Sequence, residues 1–529
     1  MKSVFLEKIS EHFQKYKYIL IYGAGGVTED LLRLLEPCLL ECQGYKERAG
    51  RPGAGEVHMN DQEECRHEVC IVVSDKIENQ DFLRGYPVKE ILEFCDVQEE
   101  ACVIISVMPR YEEQIKENLI EAGFREYCTV SALIDCMYRE IWSLPVSEHK
   151  VIFSNGDGYG FGGNPKYIGL ELLRNKADID GECDMDLVWL ANDDQAGLPE
   201  GIRVVRYGSY EHYYELGTAK IWIDNQHKSY LTRKRKGQFY MQTWHGGGPL
   251  KKIEFDAEGM SVSYRDLCEM NSGMEDVMVS PTRFNSRLYR SAFHYYGEIM
   301  ECGYPRNDIF WKADRYRRKI EELYQLKPEE GIVLFAPTYR EDLGLEEKTQ
   351  SSGKDDRTIE KGILGIEQIC QALEERFGKK FKFFIRFHPY DKNPEKRYSW
   401  SEEWVDVTAY DDVQELLAAS DILITDYSSV MWDFSLQKKP VFLFHPDLDE
   451  YQKERGYYLS FGQMPYIEAV SNEELYRKIR DFDEQSYRKK LDEFLKKYGS
   501  FDSGNASAEV AERVITILGG MGRKDRGGI

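Results

Sequence analysis

Short apolar runs separated by helical text recur along the whole chain, and their spacing predicts an α/β protein. Tyr18–Tyr22 (YILIY) reads as a strand buried on both faces. It runs into Gly23-Ala24-Gly25-Gly26-Val27-Thr28 and then the helical stretch EDLLRLLE. Further strands are expected at Cys70–Ser74 and Cys102–Val107, with connections at Gly85–Val88 and Ala122–Phe124. Residues 1–145 are therefore expected to form a small doubly wound, Rossmann-like domain. Thr28 replaces the third glycine of the Gly-x-Gly-x-x-Gly fingerprint, which leaves nucleotide binding by this domain open. A second α/β domain, 146–315, is read from strands at Lys150–Phe153, Asp186–Leu190, Arg203–Arg206, Lys220–Asp224, Gln238–Trp244 and Val277–Ser280. After a helical joint near 312–331, a third, 316–520, is read from Ile332–Ala336, Phe381–Phe387, Val405–Val407, Ile422–Ile424 and Val441–Phe444. The polar stretches 43–67 and 343–362 are expected to be loops, and the tail after Gly519 to be disordered.

Composition narrows the function classes. With 93 Asp and Glu against 70 Lys and Arg, the 529-residue chain carries a formal charge of −23, which argues against nucleic-acid binding. No apolar run reaches the roughly 18–20 residues of a membrane helix. The first residues, MKSVFLEKISEHFQKY, lack a signal-peptide core, so a cytoplasmic protein is expected. The 12 cysteines include no Cys-x-x-Cys pair and read as reduced thiols. The one local cluster, His58, Cys65, His67 and Cys70, matches no zinc template, and no metal site is assigned.

The chemistry-bearing positions sit where strands end. Ile422–Ile424 is followed by Thr425-Asp426-Tyr427-Ser428-Ser429 and a helical pattern through Gln437. Ser428 and Ser429, at a helix start with free N–H groups, make a phosphate cradle or simply an N-cap. Asp433 lies four residues on, on the same helix face, and as a carboxylate it is expected to accept from ligand hydroxyls. His245 ends the Gln238–Trp244 run and opens a Gly-rich turn, the place where open α/β sheets hold ligands. A histidine packed in a turn is the plainer alternative. His388 likewise ends the Phe381–Phe387 run, beside Arg386.

The ordered set QTWHGGGPLKKI, CGYPRND, LFAPTYRED, IRFHPY and ITDYSSVMWDFS, across roughly 148–515, resembles the CDP-glycerol glycerophosphotransferase family, which includes the primases and polymerases of wall teichoic acid. Residues 1–145 resemble the Rossmann-like accessory domains joined to bacterial polysaccharide enzymes. The resemblance implies a GT-B architecture of two facing Rossmann-like domains. It further implies metal-independent transfer of glycerol phosphate from CDP-glycerol to a polyol or sugar hydroxyl. The donor would be a nucleotide-activated polyol and the acceptor a polyol phosphate or lipid-linked saccharide, with no cofactor. Peripheral contact with the inner face of the cell membrane is compatible with it.

On this resemblance His245 is the base and His388 steadies the diphosphate. Ser428, Ser429, Asp433, Thr338, Arg340, Arg386 and Arg306 are placed at the donor, with Arg306 equally able to hold an interdomain joint. Gly246, Gly247, Lys251 and Lys252 are placed on the acceptor or membrane side. The family's polymerases commonly read WHGTPLK, whereas here Gly247 and Gly248 precede Pro249. CDP-ribitol or a nucleotide sugar as donor, and a non-catalytic nucleotide-binding regulator, are the alternatives.

Overall fold

The computed structural model describes residues 3–43, 67–76, 79–178, 185–192, 198–248, 250–338, 364–387, 404–446, 448 and 456–519. They form two compact units, one of Met1–Tyr159 with Ile179–Tyr240 and one of Gly160–Asp178 with Met241–Ile529.

In the first unit, strands β1 (Tyr18–Tyr22), β2 (Glu68–Val73), β3 (Phe82–Leu83), β4 (Tyr86–Glu90), β5 (Ala101–Ile105) and β6 (Tyr127–Thr129) make one sheet, in the order β3-β4-β2-β1-β5-β6. All its pairings are parallel except β3 with β4. Leu20, Cys70, Val103 and Ile105 are buried on one face against Leu119 and Phe124. Thr28 explains the broken glycine fingerprint. Its buried hydroxyl donates to the carbonyls of Gly23 (2.9 Å) and Ser106 (3.1 Å), closing the turn from within. Of the Gly85–Val88 stretch, expected as a connection, Gly85 lies in the turn from β3, but Tyr86–Val88 open β4, with Pro87 near its first residue, where a missing N–H costs least. The same unit carries β7 (Ser147–Ser154), β8 (Asp186–Ala191), β9 (Ile202–Arg206) and β10 (Ala219–Asp224), parallel in the order β10-β7-β8-β9.

The chain enters the second unit within β11 (Phe239–Gln242), and β11, β12 (Val277–Ser280) and β13 (Glu298–Glu301) pair in parallel. A further sheet has the order β16-β15-β14-β17-β18-β19, from β14 (Gly331–Ala336), β15 (Phe381–Ile385), β16 (Trp404–Asp406), β17 (Ile422–Thr425), β18 (Val441–Phe444) and β19 (Ile467–Ala469). The run Ile422–Ile424 is central, as a strand apolar on both sides should be. Leu423 enters the core on one face while Ile422 and Ile424 enter the core on the other. Two strands are shorter than their apolar runs. β11 stops at Gln242 because Trp244 turns to φ 53°, and β15 stops at Ile385. Among the described residues, no helix is long and apolar enough to cross a membrane.

Candidate functional site

β11 delivers His245 to the carboxyl edge of its sheet, and the turn that follows is tightly held. Trp244 adopts the left-handed region at φ 53°, a conformation that costs a residue with a Cβ about 1–2 kcal/mol. Its N–H is accepted by the Gln242 side chain at 2.8 Å. The four carbonyls of residues 243–246 each accept a hydrogen bond from a side chain. Asn164 Nδ2 donates to Thr243 (3.2 Å) and Trp244 (3.1 Å), Arg306 Nη1 to His245 (2.7 Å), and the Tyr304 hydroxyl to Gly246 (2.9 Å). The three donor residues are buried, whereas the His245 side chain is exposed, its ring 4.4 Å from that of Trp244.

Gly247, expected on the acceptor side, and its neighbour Gly248 pack inward. Both are buried under the helix Val430–Ser435. A Cβ on Gly248 would lie 2.6 Å from Trp432 Cε3 and 2.7 Å from Cε2, and one on Gly247 would collide with Asp433 Oδ1. These glycines provide close approach rather than flexibility. Lys251 bridges Tyr457, and the Lys252 N–H donates to the Gly456 carbonyl at 2.8 Å, so the segment is docked by its backbone with both side chains half-exposed.

Arg306 and Asp433 face each other, with Nη2 2.9 Å from Oδ2. Asp433 also accepts from Gln414 Nε2 (3.0 Å) and Asn307 Nδ2 (3.4 Å). Burial pushes its carboxyl up, while Arg306 and the two amides pull it down. Asp433, expected to accept from ligand hydroxyls, and Arg306, expected at a phosphate or at an interdomain joint, are here engaged by protein groups, 5% and 6% exposed. The adjoining cavity, lined in part by Gly247, Asn307, Trp432 and Asp433, has a volume of about 20 Å³, room for a water.

The other donor-side positions divide. Ser428 and Ser429 stay half-buried beside the helix that begins at Val430, and the Ser429 hydroxyl does not cap it. Thr338 is tied to Asp426, whose Oδ1 accepts its N–H (2.8 Å) and its hydroxyl (2.6 Å). This joins the loop after β14 to the loop after β17. Arg386 was expected to neutralise phosphate, yet its Nη1 donates to the carbonyls of Val407 and Tyr410, and burial lowers its pKa. It braces the turn after β16. His388 and Arg340 lie outside the described residues, as do His58 and Cys65; His67 Nδ1 lies 2.6 Å from the Tyr16 carbonyl.

Residues 136–516 match the family described as CDP-Glycerol:Poly(glycerophosphate) glycerophosphotransferase. The chain belongs to that family. It is 28% identical over 389 residues to the teichoic acid poly(glycerol phosphate) polymerase of Staphylococcus epidermidis, covering 70% of this chain and 51% of that protein. The corresponding polymerase of Bacillus spizizenii is 27% identical, with 72% and 95% covered. The chain thus spans about half the length of the first relative and nearly all of the second. The wall teichoic acid polymerase TagF shares the fold, with a TM-score of 0.59 at 25% identity over 78% of this chain and 97% of TagF. The α/β, GT-B-like class expected from the sequence agrees with that likeness.

Several residues that surround the His245 turn carried no sequence signal of their own. Asn164 stands before Pro165, an ordinary turn signal, and Gln414 is one polar residue in the helical stretch DVQELLAAS. Asp502 is half-buried beside Asn307, accepting its Nδ2 at 3.1 Å and the Tyr304 N–H at 2.9 Å. Burial raises its pKa to about 6, with Asp433 adding to the shift. Gln414 is itself fixed by an ion-pair cluster. Lys166 contacts Asp412 (2.7 Å) and Glu415 (2.8 Å), and Asp412 caps the helix Val413–Ala419. Burial works to raise Glu415, but Lys166 and Lys319 outweigh it and hold it at about 2.

Proposed function

We propose that this protein transfers glycerol phosphate from CDP-glycerol to a hydroxyl of a teichoic-acid-like glycopolymer and releases CMP. The observation that carries the reading is the exposed His245 ring on a strained, fully tethered turn at the end of a parallel strand, within a chain that belongs to this family. In the proposed reaction, His245 takes the proton of an acceptor hydroxyl. The freed oxygen then attacks the phosphorus bonded to glycerol, and the phosphoanhydride bond to CMP breaks. General-base assistance of this kind is worth ~10²–10⁴-fold. Ser428 and Ser429, at the amino end of their helix, support binding of the diphosphate through hydroxyls and N–H groups. His388, which follows β15 in sequence, is assigned to the same phosphates. Lys251 and Lys252 suit a polyanionic acceptor or the headgroups of an acidic membrane. The division into residues 1–145, 146–315 and 316–520, with donor binding in the last, belongs to the same proposal.

The test is CMP release from CDP-glycerol with a glycerol-phosphate-primed acceptor, run beside CDP-ribitol and a nucleotide sugar, with and without EDTA. Acceptor-dependent CMP from CDP-glycerol that persists in EDTA is expected. Release only from another donor would replace the substrate, loss in EDTA with rescue by Mg²⁺ would overturn metal independence, and no release from any donor would favour a binding role.

A further inference from the structure

The four consecutive carbonyls of residues 243–246 are bound by three buried side chains from elsewhere in the unit. Turns on protein surfaces usually give such groups to water. The donors are themselves joined. Asn164 Oδ1 accepts the Arg306 N–H at 3.2 Å, the Arg306 guanidinium stands 4.7 Å over the Tyr304 ring, and Asp433 sits behind Arg306. A buried ion pair contributes little net stability against an apolar replacement, so stability alone is a poor account of it. What the assembly does fix is the backbone of one residue with an unfavourable φ and of the exposed histidine that follows.

We infer that Asn164, Tyr304, Arg306 and Asp433 are positioning residues for the His245 imidazole, Asp433 acting through Arg306 and not as a ligand of the donor. This rests on the reading of His245 as the general base. The clamp holds the φ of Trp244 and the direction of the His245 Cα–Cβ bond, so that the ring meets the acceptor hydroxyl at one angle. Displacement by about 1 Å in such an arrangement can cost 10²-fold in rate.

The experiment measures kcat, CDP-glycerol Kd without acceptor, and thermal melting for Asn164→Ala, Tyr304→Phe and Asp433→Asn, each alone and combined with His245→Ala. Tyr304→Phe removes one oxygen and keeps the ring, so it stays informative if either other variant fails to fold. Expected for folded variants are losses in kcat of about 10–100-fold with donor Kd within about twofold. Once His245 is already Ala, the further loss should fall below about twofold, the non-additivity of residues that act through one another. A tenfold rise in donor Kd for Asp433→Asn, with losses that add to that of His245→Ala, would make Asp433 a ligand and overturn the inference. So would wild-type kcat in folded Tyr304→Phe and Asn164→Ala. Wild-type turnover in His245→Ala would instead remove the base itself, and the inference with it.

Discussion

Gly248→Ala isolates the role of close packing at the Gly-rich turn. The added Cβ would lie 2.6 and 2.7 Å from two atoms of the Trp432 ring and closer still to Cδ2, where unstrained carbon contacts are about 3.5–4.0 Å. Either the ring or the turn must withdraw by about 1 Å. The ring has little freedom: Trp432 is 7% exposed and packs 5.2 Å from Phe494 and 6.0 Å from Tyr498, centroid to centroid. Overpacking of this kind costs about 1–3 kcal/mol. At roughly 2–4 °C per kcal/mol for domains of 150–250 residues, melting should fall by several degrees. Gly246→Ala is the internal control, because its Cβ would meet Trp244 at 3.5 and 3.7 Å, ordinary contact. The assay is differential scanning fluorimetry of both variants beside the parent, with CMP release measured on the same samples. Gly248→Ala should melt lower and lose about tenfold or more in kcat, since the turn carries His245. Equal melting temperatures for both variants would refute the packing argument.

Two further outcomes are expected. Ser429→Ala should raise the KM for CDP-glycerol by several-fold without lowering the melting temperature, because its hydroxyl does not cap the helix; normal kinetics in Ser428→Ala, Ser429→Ala and the double variant would remove the cradle. Asp502, raised from 3.8 to about 6, prefers its neutral form in the fold. Its contribution is therefore complete below about pH 4 and lost as pH rises to about 6, worth on the order of 3 kcal/mol for the full shift. Asp502→Asn should flatten that part of the stability curve in urea titrations between pH 4 and 7, and an unchanged slope would show that other groups set it.

The strands of both units were largely legible because a strand buried on both faces leaves an apolar run that nothing else explains, as at Tyr18–Tyr22 and Ile422–Ile424. Tyr86–Val88 misled for the converse reason: Gly85 and Pro87 mark a turn locally, yet Gly85 closes the turn from β3 and Pro87 falls near the start of β4, where a strand accepts it. At the site, the sequence singled out His245 and the Ser428-Ser429 pair, which close their strands. Partners did not follow from type and spacing. Arg306 and Asp433 stand 127 positions apart, and only tertiary packing joins them. Asp433 and Arg386 carry charges that suit a ligand, but the structure turns both toward protein groups. Asn164 was invisible because one amide before a proline is an ordinary turn signal; its significance lies in the two carbonyls it reaches about 80 residues downstream.

The central claim is that His245 is the base and the donor is bound by other residues. Pre-steady-state CMP release by His245→Ala, paired with calorimetric titration of CDP-glycerol into the same preparation, tests it most directly. The account predicts a rate constant lower by ~10²–10⁴-fold with donor Kd near that of the parent. A variant that turns over normally, or one that loses rate only because it no longer binds CDP-glycerol, would contradict it.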